Sequence, residues 1–208
     1  EIQDIHSSPH WISPSTSLHD VWHYSWGLAY YQPKDYYKNY FRDGEGHHAF
    51  NHLWKSRCTM KIKVFGWLLF LDRLNTCNML KRRHYNIGNN FDCILCEQHV
   101  EETIDHMIFT CPFGQSCWAK LHIVWAPFDN RLDLLQTTKD AWPNPFFFET
   151  FLTSAWSIWK ERNNKYFRGV APMVGGWLTR FKEDLQLLQH RVKAAHRAAF
   201  ITFCNSIV

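Results

Sequence analysis

No stretch of the sequence reaches 18 consecutive apolar residues, and the longest apolar run, Val64 to Leu71, holds Gly66 and is too short for a membrane-spanning helix. The opening Glu1-Ile2-Gln3-Asp4 has no basic n-region and no apolar h-region, so no targeting segment is expected there. With no initiator methionine, the chain reads as a piece of a longer polypeptide or as a processed one. No Tyr-x-Asp-Asp polymerase signature occurs, and none of Cys58, Cys77 and Cys204 has the adjacent His and acid that would nominate a nucleophile. Asp20, Asp43 and Glu45 lie near histidines, but in no spacing that favours hydrolysis, so the chain is read as a non-enzyme. Strand signals are sparse, with Trp22 to Tyr31 the best of them. What is plentiful is apolar and aromatic: 46% and 17% of 208 residues, against 20% charged, which excludes disorder as the main reading and permits one large or two small domains.

Lysine and arginine are absent from residues 85–111, which carry five acidic side chains, whereas residues 55–84 carry eight basic and one acidic. A net charge of +4 hides this alternation. The cationic block consists of Lys55, Arg57, Lys61, Lys63, Arg73, Lys81, Arg82 and Arg83. Cations at the start of one helix and the end of the next can share one face.

Seven cysteines, an odd number with one tight cluster, fit a reducing intracellular compartment, nuclear or cytoplasmic with an organelle as the alternative, and metal binding better than a disulfide framework. The cluster reads Cys93-x2-Cys96-x9-His106-x4-Cys111. One tight turn can aim Cys93 and Cys96 at a single ion, and the second pair returns the chain to the other side of a tetrahedron. Three thiolates and an imidazole suit one structural Zn²⁺ and leave no open position for catalysis. His99 and Cys117 stand as substitute ligands. Cys58, Cys77 and Cys204 read as small buried hydrophobes. The histidines at 6, 10, 19, 23, 47, 48 and 52 lack supporting ligand spacing and read as surface or core residues.

The expected fold is mostly α: a helical domain organised around a small CCHC zinc knuckle, with a long C-terminal helix. Asn75-Thr76 offers an N-cap to a short helix over 77–84, and Phe113 to Trp125 reads as a helix packed on the cluster. The Pro- and Asp-rich connection 126–145 allows a short turn around Leu132 to Gln136. A strongly apolar helix follows over 146–167. From Trp177 to Phe203, the positions Leu178, Phe181, Leu185, Leu188, Val192, Ala195, Ala199 and Thr202 form a heptad seam for that helix or for another chain. The implied divisions are an N-terminal segment 1–49, a zinc-binding domain 50–125, a connection 126–145 and a C-terminal helical hairpin 146–208.

Leu53-Trp54, Lys61-Ile62-Lys63-Val64-Phe65-Gly66-Trp67-Leu68, Arg73-Leu74-Asn75-Thr76 and Leu80-Lys81-Arg82-Arg83 precede the cluster. Glu102-Thr103-Ile104-Asp105-His106-Met107-Ile108-Phe109-Thr110-Cys111-Pro112-Phe113 and Trp118 close it. This order resembles the zinc-binding region at the C-terminal end of plant LINE-type (non-LTR) retrotransposon reverse transcriptases. The stretch Ala155 to Phe167, with Lys160-Glu161-Arg162-Asn163-Asn164-Lys165, resembles the segment that commonly follows it. The chain departs from the pattern at Thr59-Met60, where proline often precedes Lys-x-Lys, and around Asp72 to Asn75.

The resemblance implies nucleic-acid handling beside a polymerase rather than catalysis, within a retroelement protein or in a domesticated copy. On that reading the eight cations contact phosphates of RNA or DNA, and Trp54 or Tyr85 stacks on unpaired bases. The zinc knot, being acidic, organises the fold instead. The other reading of the cationic run is a solvated helix face. A different function class is a structural or protein-interaction subunit that docks through aromatic faces and residues 177–203, since 11 tryptophans are far more than usual and tryptophan anchors interfaces.

Overall fold

The computed structural model describes residues 47–86 and 88–207. The strand expected over Trp22 to Tyr31, the acids Asp20, Asp43 and Glu45, and the histidines at 6, 10, 19 and 23 lie outside the described residues. The described chain is built from helices and turns. Its one β pairing is the isolated bridge between Asp92 and Glu101.

Helix α1 (His48–Lys55) starts at His47, whose ring nitrogen Nδ1 accepts from the Ala49 amide. Helix α2 (Met60–Phe70) follows a short turn. Helix α3 (Cys77–Arg82) is capped by Thr76, whose hydroxyl accepts from the Met79 amide, as the Asn75-Thr76 pair predicts. A π-helical turn (His106–Thr110) leads through Cys111 into α4 (Pro112–Ala119), with Pro112 in the first turn, where no amide donor is needed. Asn130 caps α5 (Arg131–Ala141) by accepting from the Leu132 amide. Helix α6 (Phe147–Arg168) ends where Gly169 takes a left-handed conformation (φ 66°) that closes the last turn. Then come α7 (Val174–Leu187), a 3₁₀ turn (Leu188–Arg191) and α8 (Ala194–Ser206).

Helix α6 is the spine, because Phe147 to Ala155 is buried all round and so is covered on more than one side. Helix α2 covers one side, and Gly66 makes the approach: a Cβ there would stand 2.5 Å from Leu152 Cδ2 and 2.8 Å from Leu53 Cδ1. Helix α7 covers another, with the Trp177 indole donating to the Ser154 carbonyl (3.2 Å) and Lys160 pairing with Asp184 (2.6 Å). The cysteine-rich segment docks through aromatic rings. Trp118 and Phe109 stack on Phe151 at 5.7 and 6.1 Å, and Trp125 meets both Trp118 and Phe109 edge-on. Much of the unusual tryptophan content is therefore core.

Three elements differ from the sequence expectation. The helix read over Phe113 to Trp125 ends at Ala119; the chain turns at His122 (φ 56°) so that Trp125 can fold back onto Trp118. The short turn expected at Leu132 to Gln136 is the 11-residue α5, held by burial of Leu134 and Leu135. The long C-terminal helix is only partly continuous. Its seam holds through Phe181, Leu185, Leu188 and Val192, all buried within the chain, and then breaks. Beyond Lys193 the seam positions Ala195, Ala199 and Thr202 are exposed. Phe200 and Cys204 are buried instead, and Phe200 meets Phe146 edge-on at 4.9 Å. Burying Phe200 and Cys204 outweighs prolonging a seam of alanine and threonine.

Candidate metal centre

The four residues of the C-x2-C-x9-H-x4-C pattern come together. One ligand atom from each of Cys93, Cys96, His106 and Cys111 lies within 4.8 Å of the others. The Cys93 and Cys111 sulfurs are 3.9 Å apart, and Cys96 Sγ is 3.3 Å from His106 Nε2. A tetrahedral Zn²⁺ with bonds of about 2.3 Å to sulfur and about 2.0 Å to nitrogen needs ligand edges of about 3.5–3.8 Å. The cluster therefore fits one structural zinc.

Local backbone chemistry explains the convergence. Cys93 opens its turn from a fixed base, since its amide donates to Val100 O (2.8 Å) and the Glu102 amide donates to Phe91 O (2.8 Å). The second pair depends on the π turn. In an α-helix, residues five apart point about 140° away from each other. Here the Cys111 amide donates to His106 O (2.6 Å), one residue further back than in an α-helix, which winds Cys111 back over His106. Pro112 cannot donate to Ile108 O, and the Trp118 indole N–H satisfies that carbonyl instead (2.6 Å). Gly114 permits the close approach, because a Cβ there would stand 2.8 Å from Met107 O.

A second layer orients the ligands. His106 Nδ1 lies 3.3 Å from the Thr110 hydroxyl, leaving Nε2 for the metal, and the His106 amide donates to the Thr103 hydroxyl (3.0 Å). Cys111 is held well below the usual thiol range, first by its hydrogen bond with Cys93, then by His106 and by the amides of Gly114 and Phe113 at the start of α4, all against the effect of burial. Cys93 is pushed up by the same shared proton and by burial, with the Leu95 amide opposing. Burial raises Cys96, and the Gln98 amide opposes it.

The substitute ligands stand apart. His99 is exposed and its Nδ1 pairs with Asp92 (3.1 Å), while Cys117 is buried in the core, its thiol pushed up by desolvation. His47 pairs with Asp133 and His52 stacks on Phe148. Cys58, Cys77 and Cys204 are buried.

The eight cations of residues 55–84 divide into two groups. Arg57 pairs with buried Glu149 (3.2 Å), Lys81 with Glu101 (3.1 Å), and Arg82 with Asp72. The other five have no carboxylate partner among the described residues. Lys55 and Arg73 are exposed, Lys63 donates to Trp54 O, Arg83 donates to Asn75, and Lys61 lies over the Trp156 ring at 5.2 Å. Trp54 and Tyr85 are both exposed.

Two cations outside this block also bear on the centre. Arg131 pairs with Asp105 (2.8 Å) beside His106 and donates to Leu69 O (2.9 Å), tying α5 to the end of α2. Arg162 reaches Glu102 from α6. Neither pair has a local signal in the sequence, because the partners lie 26 and 60 residues apart.

No curated protein and no solved structure matches the chain. Residues 31–118, which include all four ligand residues, match the family described as zinc-binding in reverse transcriptase.

Proposed function

We propose that the chain is a non-catalytic, zinc-dependent nucleic-acid-binding module in which the ion fixes the fold and the cationic block makes the contact. The observation that carries this reading is the division of charge. Lys55, Lys61, Lys63, Arg73 and Arg83 have no carboxylate partners among the described residues, while the adjoining residues 85–111 hold no lysine or arginine at all. Three thiolates around Zn²⁺ add about one further negative charge to that second segment, so phosphates are repelled from the metal and drawn to the helices before it. A site whose four positions are all supplied by the protein has none left to activate water. The family match to residues 31–118 supports a zinc-binding role beside nucleic-acid chemistry.

The test is binding of labelled single-stranded RNA and duplex DNA to the zinc-loaded chain at two salt concentrations, with Lys55, Arg73 and Arg83 changed together to Gln as the control. Salt-sensitive binding that the triple variant weakens supports the reading. Binding insensitive to both would end it.

A second reading, a protein-interaction subunit, has one specific observation behind it. Met60, Val64 and Trp67 of α2 and Leu71 just past its end recur at helical spacing and are all exposed. Loss of a partner protein on changing Trp67 to Lys, with nucleic-acid binding intact, would favour that reading.

A further inference from the structure

A small groove runs along α2 where it meets α6, with a volume of about 290 Å³. Lys61, Leu68, Arg73, Asn75, Trp156 and Trp159 contribute to its lining, and no carboxylate does. We infer that this groove is a subsite for one unpaired base of a single-stranded nucleic acid, with the flanking phosphates held by Lys61 and Arg73. This rests on the nucleic-acid reading above and deepens it.

The chemistry of the lining selects the occupant. Trp156 and Trp159 are half-buried indoles braced from within by Phe65, which meets Trp156 edge-on at 5.2 Å. Held indoles of this kind offer a flat apolar surface at little entropic cost. Lys61 already sits over Trp156 at 5.2 Å, so a cation is in place at one end of the groove. Arg73 lies beyond the other end of α2, exposed and without a side-chain partner among the described residues. The Arg73 amide donates to Leu68 O (2.7 Å), and Leu68 lies seven residues, or about 10 Å along the helix axis, from Lys61, so the backbones that carry the two cations stand at opposite ends of the aromatic floor. Asn75 supplies an amide that can donate to or accept from a base edge, and it holds Arg83 behind it (3.3 Å). The volume is at the small end for a ligand site, about 300 Å³, which suits one flat ring and excludes a peptide helix. A duplex keeps its bases stacked and cannot present one to this floor. The groove therefore predicts a preference for single strands, which a purely cationic face does not.

The experiment uses the full zinc-loaded chain and two fluorescein-labelled probes, an eight-residue oligothymidylate and the same sugar–phosphate chain with every base removed. Both probes carry the same phosphates. The groove predicts affinity for the base-free chain lower by on the order of 10-fold. Trp156→Leu should remove most of that difference, and the 4-thiothymidine version of the probe should photocrosslink to α2 or α6 at the groove. Trp156→Phe, which keeps an aromatic floor, should retain most of the difference, and the Leu variant should keep the helical circular dichroism of the parent chain. Equal affinity for the two probes, with both lost when Lys55, Arg73 and Arg83 are changed, overturns the subsite and leaves the nucleic-acid module standing. No binding of either probe overturns both.

Discussion

Arg162 closes on Glu102, four residues before the ligand His106, through contacts of 2.8 Å (Nη2 to Oε1) and 3.1 Å (Nε to Oε2). Both side chains are buried, the Cys77 amide also donates to Glu102 (2.9 Å), and the guanidinium lies against the rings of Trp159 and Tyr166. One buried carboxylate thus ties together the spine helix, the start of α3 and the metal centre. Removing one partner strands the other charge, so Glu102→Ala and Arg162→Ala should each cost about 3–5 kcal/mol in urea unfolding of the zinc-loaded chain. The double variant should cost clearly less than the sum. Arg162→Lys should not rescue, because an ammonium cannot make the two-pronged contact. Additive losses would show that the two residues act separately.

Metal content provides the second test. The freshly purified, reduced chain should carry one zinc, and Cys93→Ala or Cys111→Ala should lose it together with helical circular dichroism, since the energy of binding a structural ion is largely folding energy. Cobalt substitution should give the visible bands of a tetrahedral thiolate site. Full helicity after chelation would contradict a role for the ion in the fold.

Acid should weaken the centre in a direction fixed by its thiols. Cys111 has its folded value lowered from 9.0 by Cys93, His106 and two backbone amides. The stability this adds to the metal-free fold is fully present above the unfolded thiol value and is lost as pH falls through the lowered folded value. Cys93 and Cys96 are shifted the other way, so they hold protons at neutral pH that zinc must displace. Calorimetric zinc titrations in buffers of different ionisation enthalpy should therefore show release of about two protons per ion near neutral pH, and affinity should fall on acidification. Zinc binding without proton release would refute the charge assignment.

Close packing of α2 on α6 sets the fourth prediction. A methyl at position 66 meets Leu152 and Leu53, and neither lies free on the surface. Gly66→Ala should cost about 1–3 kcal/mol despite the better helix propensity of alanine, as measured by the shift in urea midpoint. A stabilised variant would mean that α2 can move off α6 without loss.

The ligand set was legible because cysteine and histidine spacing is a local property, and the Thr76 cap because its hydroxyl serves its own helix. The π turn was not, because nothing in Met107-Ile108-Phe109-Thr110 distinguishes five residues per closed turn from four. It is imposed jointly by Pro112, by Gly114 and by the demand that Cys111 face His106. The break after Val192 was hidden for a similar reason. Ala195, Ala199 and Thr202 continue the heptad arithmetic, but Phe200 and Cys204 have buried places that only the folded chain provides. The cationic run illustrates the limit of counting charge: Arg57, Lys81 and Arg82 are matched by acids that are distant in sequence or on another turn.

If the ion organises the fold while the five cations without carboxylate partners carry the binding, oligonucleotide affinity must depend steeply on salt. Measured by anisotropy on the zinc-loaded chain with a single-stranded probe, log K against log salt should fall with a slope of about −3.5 if all five contact phosphates. The slope should shrink by roughly 2 when Lys55, Arg73 and Arg83 are changed to Gln. A slope near zero, or one that the triple variant leaves untouched, would mean that these cations do not carry the binding.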